Sequence, residues 1–289
     1  MLIAWLDQTI GQQKELVGGK AANLSRLAAD WPVPPGFCLT TEAFGQWSAH
    51  HTGESLPAEA QKLVAASYAE LAERLGVAEP RVAVRSSAVG EDSQTASFAG
   101  QYDTYLNLEG EQAVVEAVAR CWDSARSERV LAYHRQHSQS ASEIRLAVLV
   151  QLLVAADVSL VAFSANPVTN NRSETVITAS WGLGESVVSG TVTPDTYIVD
   201  KVTRAITSRV IASKEKMTVI APTGVREVLV PRPMQKLRSL NDAQVLEVAE
   251  LAQRLESHMG WPVDIEAAYH GEKLYLLQCR PISTLNDRA

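Results

Sequence analysis

Strand-like runs crowd the second half of this chain. Residues 144–155, 158–164, 174–180, 195–200, 205–211, 263–269 and 273–279 all read as strands. One helical pattern from about 241 to 259 interrupts them, opening at Asn241 or Asp242 and closing at Gly260. Strands this dense, with so little helix among them, lack the regular alternation of a doubly wound parallel sheet. An α+β fold is expected instead. The first half carries more helix. Residues 56–76 read as a helix ended by Gly76, and 111–136 as a longer one bearing Val114, Val118, Cys121, Trp122 and Ala125 on one face. WPVPPGF at 31–37 reads as a rigid turn into a short strand.

The 289 residues suffice for one large two-lobed domain or two ordinary ones. A formal net charge of -7 argues against a nucleic-acid partner, because phosphate-backbone binding rests on concentrated Lys and Arg. Cys38, Cys121 and Cys279 are odd in number, far apart and outside any C-x-x-C spacing, which fits a reducing cytosol and offers no zinc site. MLIAWLDQTIG has no basic start and meets Asp7 after a short apolar stretch, so it does not read as a signal peptide. The longest apolar run, 146–156, is broken by Gln151 and is too short to span a bilayer. A cytoplasmic protein without a membrane partner is expected.

Chemistry is suggested most strongly by RVAVRSSAVGEDSQTASFAGQYDT, residues 81–104. A strand here would bury Val82 and Val84 and turn Arg85 to the opposite face. The small, polar, glycine-containing loop that follows is longer than compact domains usually tolerate without a purpose, and such loops tend to be lids. An arginine with glycine-freed backbone N–H groups suits a phosphate cradle. Gly18-Gly19-Lys20 precedes a helical pattern and makes a second anion site at a helix start. It is not a Walker A loop, since Lys14 stands where the first glycine belongs and Ala21 replaces the Ser or Thr.

The closing pair of strands, VDIEAAYHGEKLYLLQCRPI, is the second strong signal. Asp264, Glu266 and Ala268 share one face of the first strand; Leu274, Leu276, Gln278 and Arg280 share one face of the second. A three-residue loop at 271–273 would set Glu266 directly opposite Gln278. A carboxylate and an amide carbonyl so placed can hold Mg²⁺, a hard cation that takes oxygen ligands and keeps substrate phosphate in its shell. An edge hairpin with a solvent-facing polar side is the plainer alternative. Gln151, polar inside LAVLVQLLVAA, needs a partner: a purine ring read by strand backbone at 151–153, or a neighbouring loop. WGLGESVVSG at 181–190 is glycine-rich and carries Glu185, which by itself says little.

GGKAANLSRL, VPPGFCLTTEAF, RVAVRSSAVGEDSQTASFAGQYDTYLNL, WGLGESVVSGTVTPD and DIEAA...LYLLQCRPI, in that order and over nearly the whole chain, resemble the ATP-binding domain of the phosphoenolpyruvate synthase and pyruvate phosphate dikinase family, rifampin phosphotransferases included. The resemblance implies an ATP-grasp fold whose two lobes enclose ATP, here an N-terminal lobe 1–150 with the phosphate-binding strand and lid, and a C-terminal lobe 151–289 with the metal-binding hairpin. It implies transfer of a phosphoryl or pyrophosphoryl group from Mg-ATP to a histidine on a separate domain or chain. Residue by residue, it makes Lys20 and Arg85 phosphate ligands and puts Gly100 and Thr104 near the phosphate tail. Gln151 and Leu153 fall at the adenine hinge, Glu266 and Gln278 bind the metal, and Arg280 stabilises the transferring group. Lys20, Arg85 and Arg280 would be the catalytic set.

Two positions depart from the family pattern: Leu160 stands where a glycine is usual and Ala267 where an aromatic is usual after DIE. None of His50, His51, His134, His137, His258 and His270 follows the glycine-rich, Thr-Ser-type loop of the carrier histidine, and all six read as surface residues. The resemblance covers neither the histidine domain nor the acceptor-substrate domain, so both are expected from other domains or chains, with a small molecule as final acceptor. The competing readings are a self-contained ATP-grasp kinase or ligase and a regulatory nucleotide-binding subunit.

Overall fold

A computed structural model describes residues 1–47, 55–91, 103–125, 127, 145–188 and 190–285. The chain divides into two compact units, Met1–Leu153 with Pro222–Gly224, and Val154–Ala221 with Val225–Ala289.

Unit 1 is built on a five-stranded antiparallel sheet of β1 (Ile3–Trp5), β2 (Gly36–Leu39), β3 (Val82–Ala88), β4 (Thr104–Leu108) and β5 (Leu146–Leu152), in the order β1-β2-β5-β3-β4. Its helices are α1 (Lys14–Leu27), α2 (Thr41–Trp47), α3 (Ala58–Leu75) and α4 (Glu111–Ser124). Strand alternation sorts the side chains between two layers. Val82, Val84, Val148 and Val150 join Val64 and Leu71 of α3 and Val118 and Trp122 of α4 in one core. Ala147 and Leu149 join Val17, Ala21 and Leu24 of α1 in the other. The anticipated face of α4 is buried throughout. That helix was expected to reach residue 136, and everything from 128 to 144 lies outside the described residues. Gly76 closes α3 in the left-handed conformation, as its position predicted.

Unit 2 holds a six-stranded antiparallel sheet: β6 (Val158–Phe163), β7 (Glu174–Trp181), β8 (Asp195–Asp200), β9 (Ala205–Val210), β12 (Val263–His270) and β13 (Lys273–Pro281), ordered β13-β12-β6-β7-β8-β9. All were legible as strands, within a residue or two. The helix α5 (Asp242–Met259) opens on a capping box between Asn241 and Gln244 and closes at Gly260. The Tyr269 hydroxyl on β12 donates to Glu247 of α5 at 2.6 Å, tying helix to sheet. Lys214 and Asp195, both 0% exposed, pair at 2.6 Å. Asp195 also accepts from the backbone N–H groups of Ala212 and Ser239, so the buried carboxylate is well supplied with donors.

The hairpin β10 (Lys216–Ile220) and β11 (Val225–Leu229) escaped the sequence reading. β10 is mostly half-buried and β11 mostly exposed, without a clean alternation of buried and exposed positions to read. Overall the fold class is α+β, as the mixture of patterns required. No helix among the described residues is long and apolar enough to cross a membrane.

Candidate functional site

In unit 1 the strand β3 behaves as its sequence demands. Val82 and Val84 are buried towards α3 and α4, and Arg85 takes the other face, half-buried. Its register partners are Thr104 on β4 and Leu149 on β5. Arg85 and Thr104, both expected near phosphate, are therefore cross-strand neighbours. Gly100 lies outside the described residues.

Two residues along, Ser87 locks β3 to α1. Its hydroxyl donates to the Val17 carbonyl at 2.8 Å and accepts from the Ala21 N–H at 3.2 Å. Between those contacts α1 breaks at Gly18, whose φ of 76° and ψ of 171° are not helical. A Cβ on Gly18 would overlap the Ser87 carbonyl, so only glycine permits this approach. The helix start beside Lys20, read from the sequence as an anion site, is partly engaged by the protein's own groups. One of its N–H groups is capped by Ser87, and Lys20, 6% exposed, pairs with Glu91 at 2.7 Å. A buried ammonium needs a counter-charge, which the strand-end turn supplies.

At the expected hinge, the Gln151 side chain takes the plainer of its two readings. It is buried and donates to the Pro34 carbonyl at 2.9 Å. The backbone N–H of Leu152 is given to Pro35 at 2.9 Å and that of Leu153 to Arg81 at 2.8 Å. The donor half of an adenine contact at Leu153 is thus already spent inside unit 1, because this end of β5 remains part of the sheet's hydrogen bonding.

In unit 2, Glu266 and Gln278 are direct partners across β12 and β13, and Asp264 faces Arg280 two pairs further along. The route to that pairing differs from the expected one. His270 pairs with Lys273, leaving a two-residue turn, and a bulge restores the register because Ala267 pairs with Leu276 while Glu266 pairs with Gln278. Leu274 and Leu276 consequently pair with Tyr269 and Ala267 rather than sharing a face with Gln278 and Arg280. The Arg280 Nε donates to Asp264 Oδ2 at 2.9 Å. Glu266 is half-buried and Gln278 is 4% exposed. Two hard oxygen donors on facing positions fit Mg²⁺, which asks for few protein ligands when phosphate completes its shell. Among the described residues no group of three or more His, Cys, Asp or Glu side chains could hold a metal ion.

Sequence reasoning missed Glu91 and Ser87, for which a single sequence offers no signal beyond their closeness to Arg85. Asp264 was placed on the right face but given no role, although the same strand parity set it opposite Arg280. His258 and His270 are exposed, as expected, and the other four histidines lie outside the described residues. Leu160 and Ala267, the two departures from the expected pattern, prove to be direct partners on β6 and β12, both buried. On the family pattern that the resemblance implies, a large residue would stand for a glycine and a small one for an aromatic, and the two volume changes would offset each other across this pair.

Lys20 and Arg85 thus lie in unit 1, and the facing oxygens of Glu266 and Gln278 lie in unit 2. The chain belongs to the pyruvate phosphate dikinase AMP/ATP-binding domain family, whose model matches residues 50–289. It is 38% identical to a phosphoenolpyruvate synthase of Pyrococcus furiosus, over 99% of this chain and 44% of the relative. It is 35% identical to a rifampicin phosphotransferase of Streptomyces sviceus, over 97% of this chain and 36% of the relative. The chain thus spans less than half the length of these curated relatives. Among solved structures, D-alanyl-alanine synthetase A of Vibrio cholerae gives a TM-score of 0.36 at 15% identity, over 93% of this chain and 59% of that one.

Proposed function

We propose that this chain is an ATP-grasp phosphotransfer domain that takes a phosphoryl or pyrophosphoryl group from Mg-ATP and passes it to a histidine on another domain or chain. The final acceptor would be a small molecule, of the kind that the names phosphoenolpyruvate synthase and rifampicin phosphotransferase indicate for the relatives. The observation that carries the reading is the facing pair Glu266–Gln278 with Arg280, held by Asp264, two positions beyond it.

Glu266 and Gln278 would hold Mg²⁺, which neutralises phosphate charge when bound. Arg280 is oriented by Asp264 and would stabilise the transferring group with its guanidinium charge. Arg85, with Thr104 as its strand neighbour, and Lys20 bind phosphate oxygens. Carbonyls near Gln151 and Leu153 would accept from the adenine amino group. No side chain is needed as acid or base, because phosphoryl transfer depends chiefly on positioning and charge stabilisation.

The test is incubation with labelled ATP and Mg²⁺, alone and with the histidine-bearing domain of a family relative. AMP or ADP formed only with the partner, together with acid-labile label on that partner, supports the reading. A phosphorylated small molecule with no labelled partner would sink it and favour a self-contained kinase.

A further inference from the structure

Glu91 ends the β3 segment one turn beyond Ala88, and its carboxylate is used on both oxygens. Oε1 accepts from the Lys20 ammonium at 2.7 Å and Oε2 from the Ala88 N–H at 3.1 Å. Its own N–H donates to the Ala88 carbonyl at 3.1 Å, so the turn that presents it is closed by backbone as well. Lys20 and Glu91 are 6% and 7% exposed. An ion pair this deep is not a surface contact of little consequence, since removing one partner strands a charge in a poorly solvated place.

Lys20 hangs from the helix that restarts after Gly18, and Glu91 from the turn that follows the strand bearing Arg85. Ser87 fastens those two backbones together on both sides of the break, at Val17 and Ala21. The carboxylate therefore meets the ammonium in a frame already fixed by other bonds. Four flexible methylenes would otherwise let the lysine sample many rotamers, and holding them costs conformational entropy. A fixed partner settles that cost before any ligand arrives.

From this geometry we infer that Glu91 is a positioning residue, one that holds the Lys20 ammonium in a single place so that it meets nucleotide phosphate with its rotamer already set. The inference rests on Lys20 being a phosphate ligand. Glu91 touches no phosphate itself; it acts through Lys20.

The experiment is calorimetric ATP binding to the full chain as Lys20→Met, Glu91→Gln, Glu91→Asp and the double variant Lys20→Met/Glu91→Gln. Glu91→Gln should weaken ATP binding by roughly 10- to 100-fold, the range expected for losing one hydrogen bond to a charged group. Glu91→Asp, which keeps the charge, should bind more tightly than Glu91→Gln. The double variant should bind no more weakly than Lys20→Met alone, an equivalence that general damage to the fold would not produce. If Glu91→Gln is too unstable to purify, Glu91→Asp and the double variant carry the same comparisons. ATP binding that tightens in Glu91→Gln would overturn the inference, because the carboxylate would then be a competitor of phosphate. Additive losses would overturn it too. Lys20→Met binding ATP like the parent would instead remove the phosphate-ligand reading itself, whereas a crippled Lys20→Met beside an unaffected Glu91→Gln removes only the role of Glu91.

Discussion

Glu266 and Gln278 stand opposite each other across β12 and β13 only because Leu277 is the extra residue of a bulge. With the two-residue turn at Gly271-Glu272 and no bulge, Gln278 would pair with Ile265 on the core face. The bulge turns Gln278 and Arg280 to the face of Glu266 and Asp264 while Leu274 and Leu276 stay with the core. Bulges of this kind re-aim side chains beside functional sites.

Glu266→Ala should lower Mg-dependent nucleotide turnover by at least about 100-fold, and so should Arg280→Ala. Glu266 is only half-buried, so the first variant should unfold within about 1 kcal/mol of the parent. Denaturant melts beside turnover assays separate the two effects. Unchanged turnover in both variants would remove the site assignment.

Leu160→Gly should destabilise unit 2 by about 3–5 kcal/mol through the cavity it leaves, and Ala267→Phe by about 1–3 kcal/mol through overpacking. Together they should cost at least about 1 kcal/mol less than the sum, because each supplies the space or volume the other lacks. Strict additivity would mean that the Leu160–Ala267 pairing does not exchange volume.

Gly18→Ala should cost at least about 2 kcal/mol, combining the left-handed backbone with the overlap on the Ser87 carbonyl. Nucleotide affinity should fall with it, as the break in α1 sets where Lys20 begins. A thermal melt and an ATP titration on the same preparation check both; an unchanged melting temperature would contradict the close approach of α1 and β3.

Lys214→Met leaves Asp195 buried with its counter-charge removed, and should destabilise unit 2 by about 3–5 kcal/mol. Calorimetry on the full chain should show that loss in one transition while the other keeps its temperature. A change below about 1 kcal/mol would mean that the backbone donors on Asp195 suffice without the lysine.

Alkali should unfold this protein before its tyrosines are fully titrated. Burial pushes the Tyr105 phenol up to about 12, with Asp103 adding to the rise, and burial pushes the Cys121 thiol up to about 12 as well. Tyr68, Tyr197 and Tyr269 are shifted upward too, again mainly by burial. The folded state keeps these protons longer than the unfolded chain, whose thiols and phenols have values of 9.0 and 10.0. Their stabilisation is thus complete below about pH 9 and is lost as pH climbs towards 12. Absorbance at the phenolate band and far-ultraviolet dichroism, followed together, should show late-titrating tyrosines ionising with loss of structure. All seven ionising near pH 10 in a folded protein would contradict the burial.

Much of this protein could be read from local pattern. Alternation placed Arg85 across from Val82 and Val84, capping residues bounded α5 at Asn241 and Gly260, and the closing pair of strands was legible as a hairpin. Such features depend on neighbours in sequence, whose geometry the backbone dictates. The tertiary structure also set the bulge that gives the Glu266–Gln278 register. What depends on residues far apart is Ser87 capping the helix start below Lys20, Glu91 reaching Lys20 across 71 positions, and Leu160 meeting Ala267. Burial and exact approach are properties of packed partners, and no single stretch of this chain contains both members of those pairs.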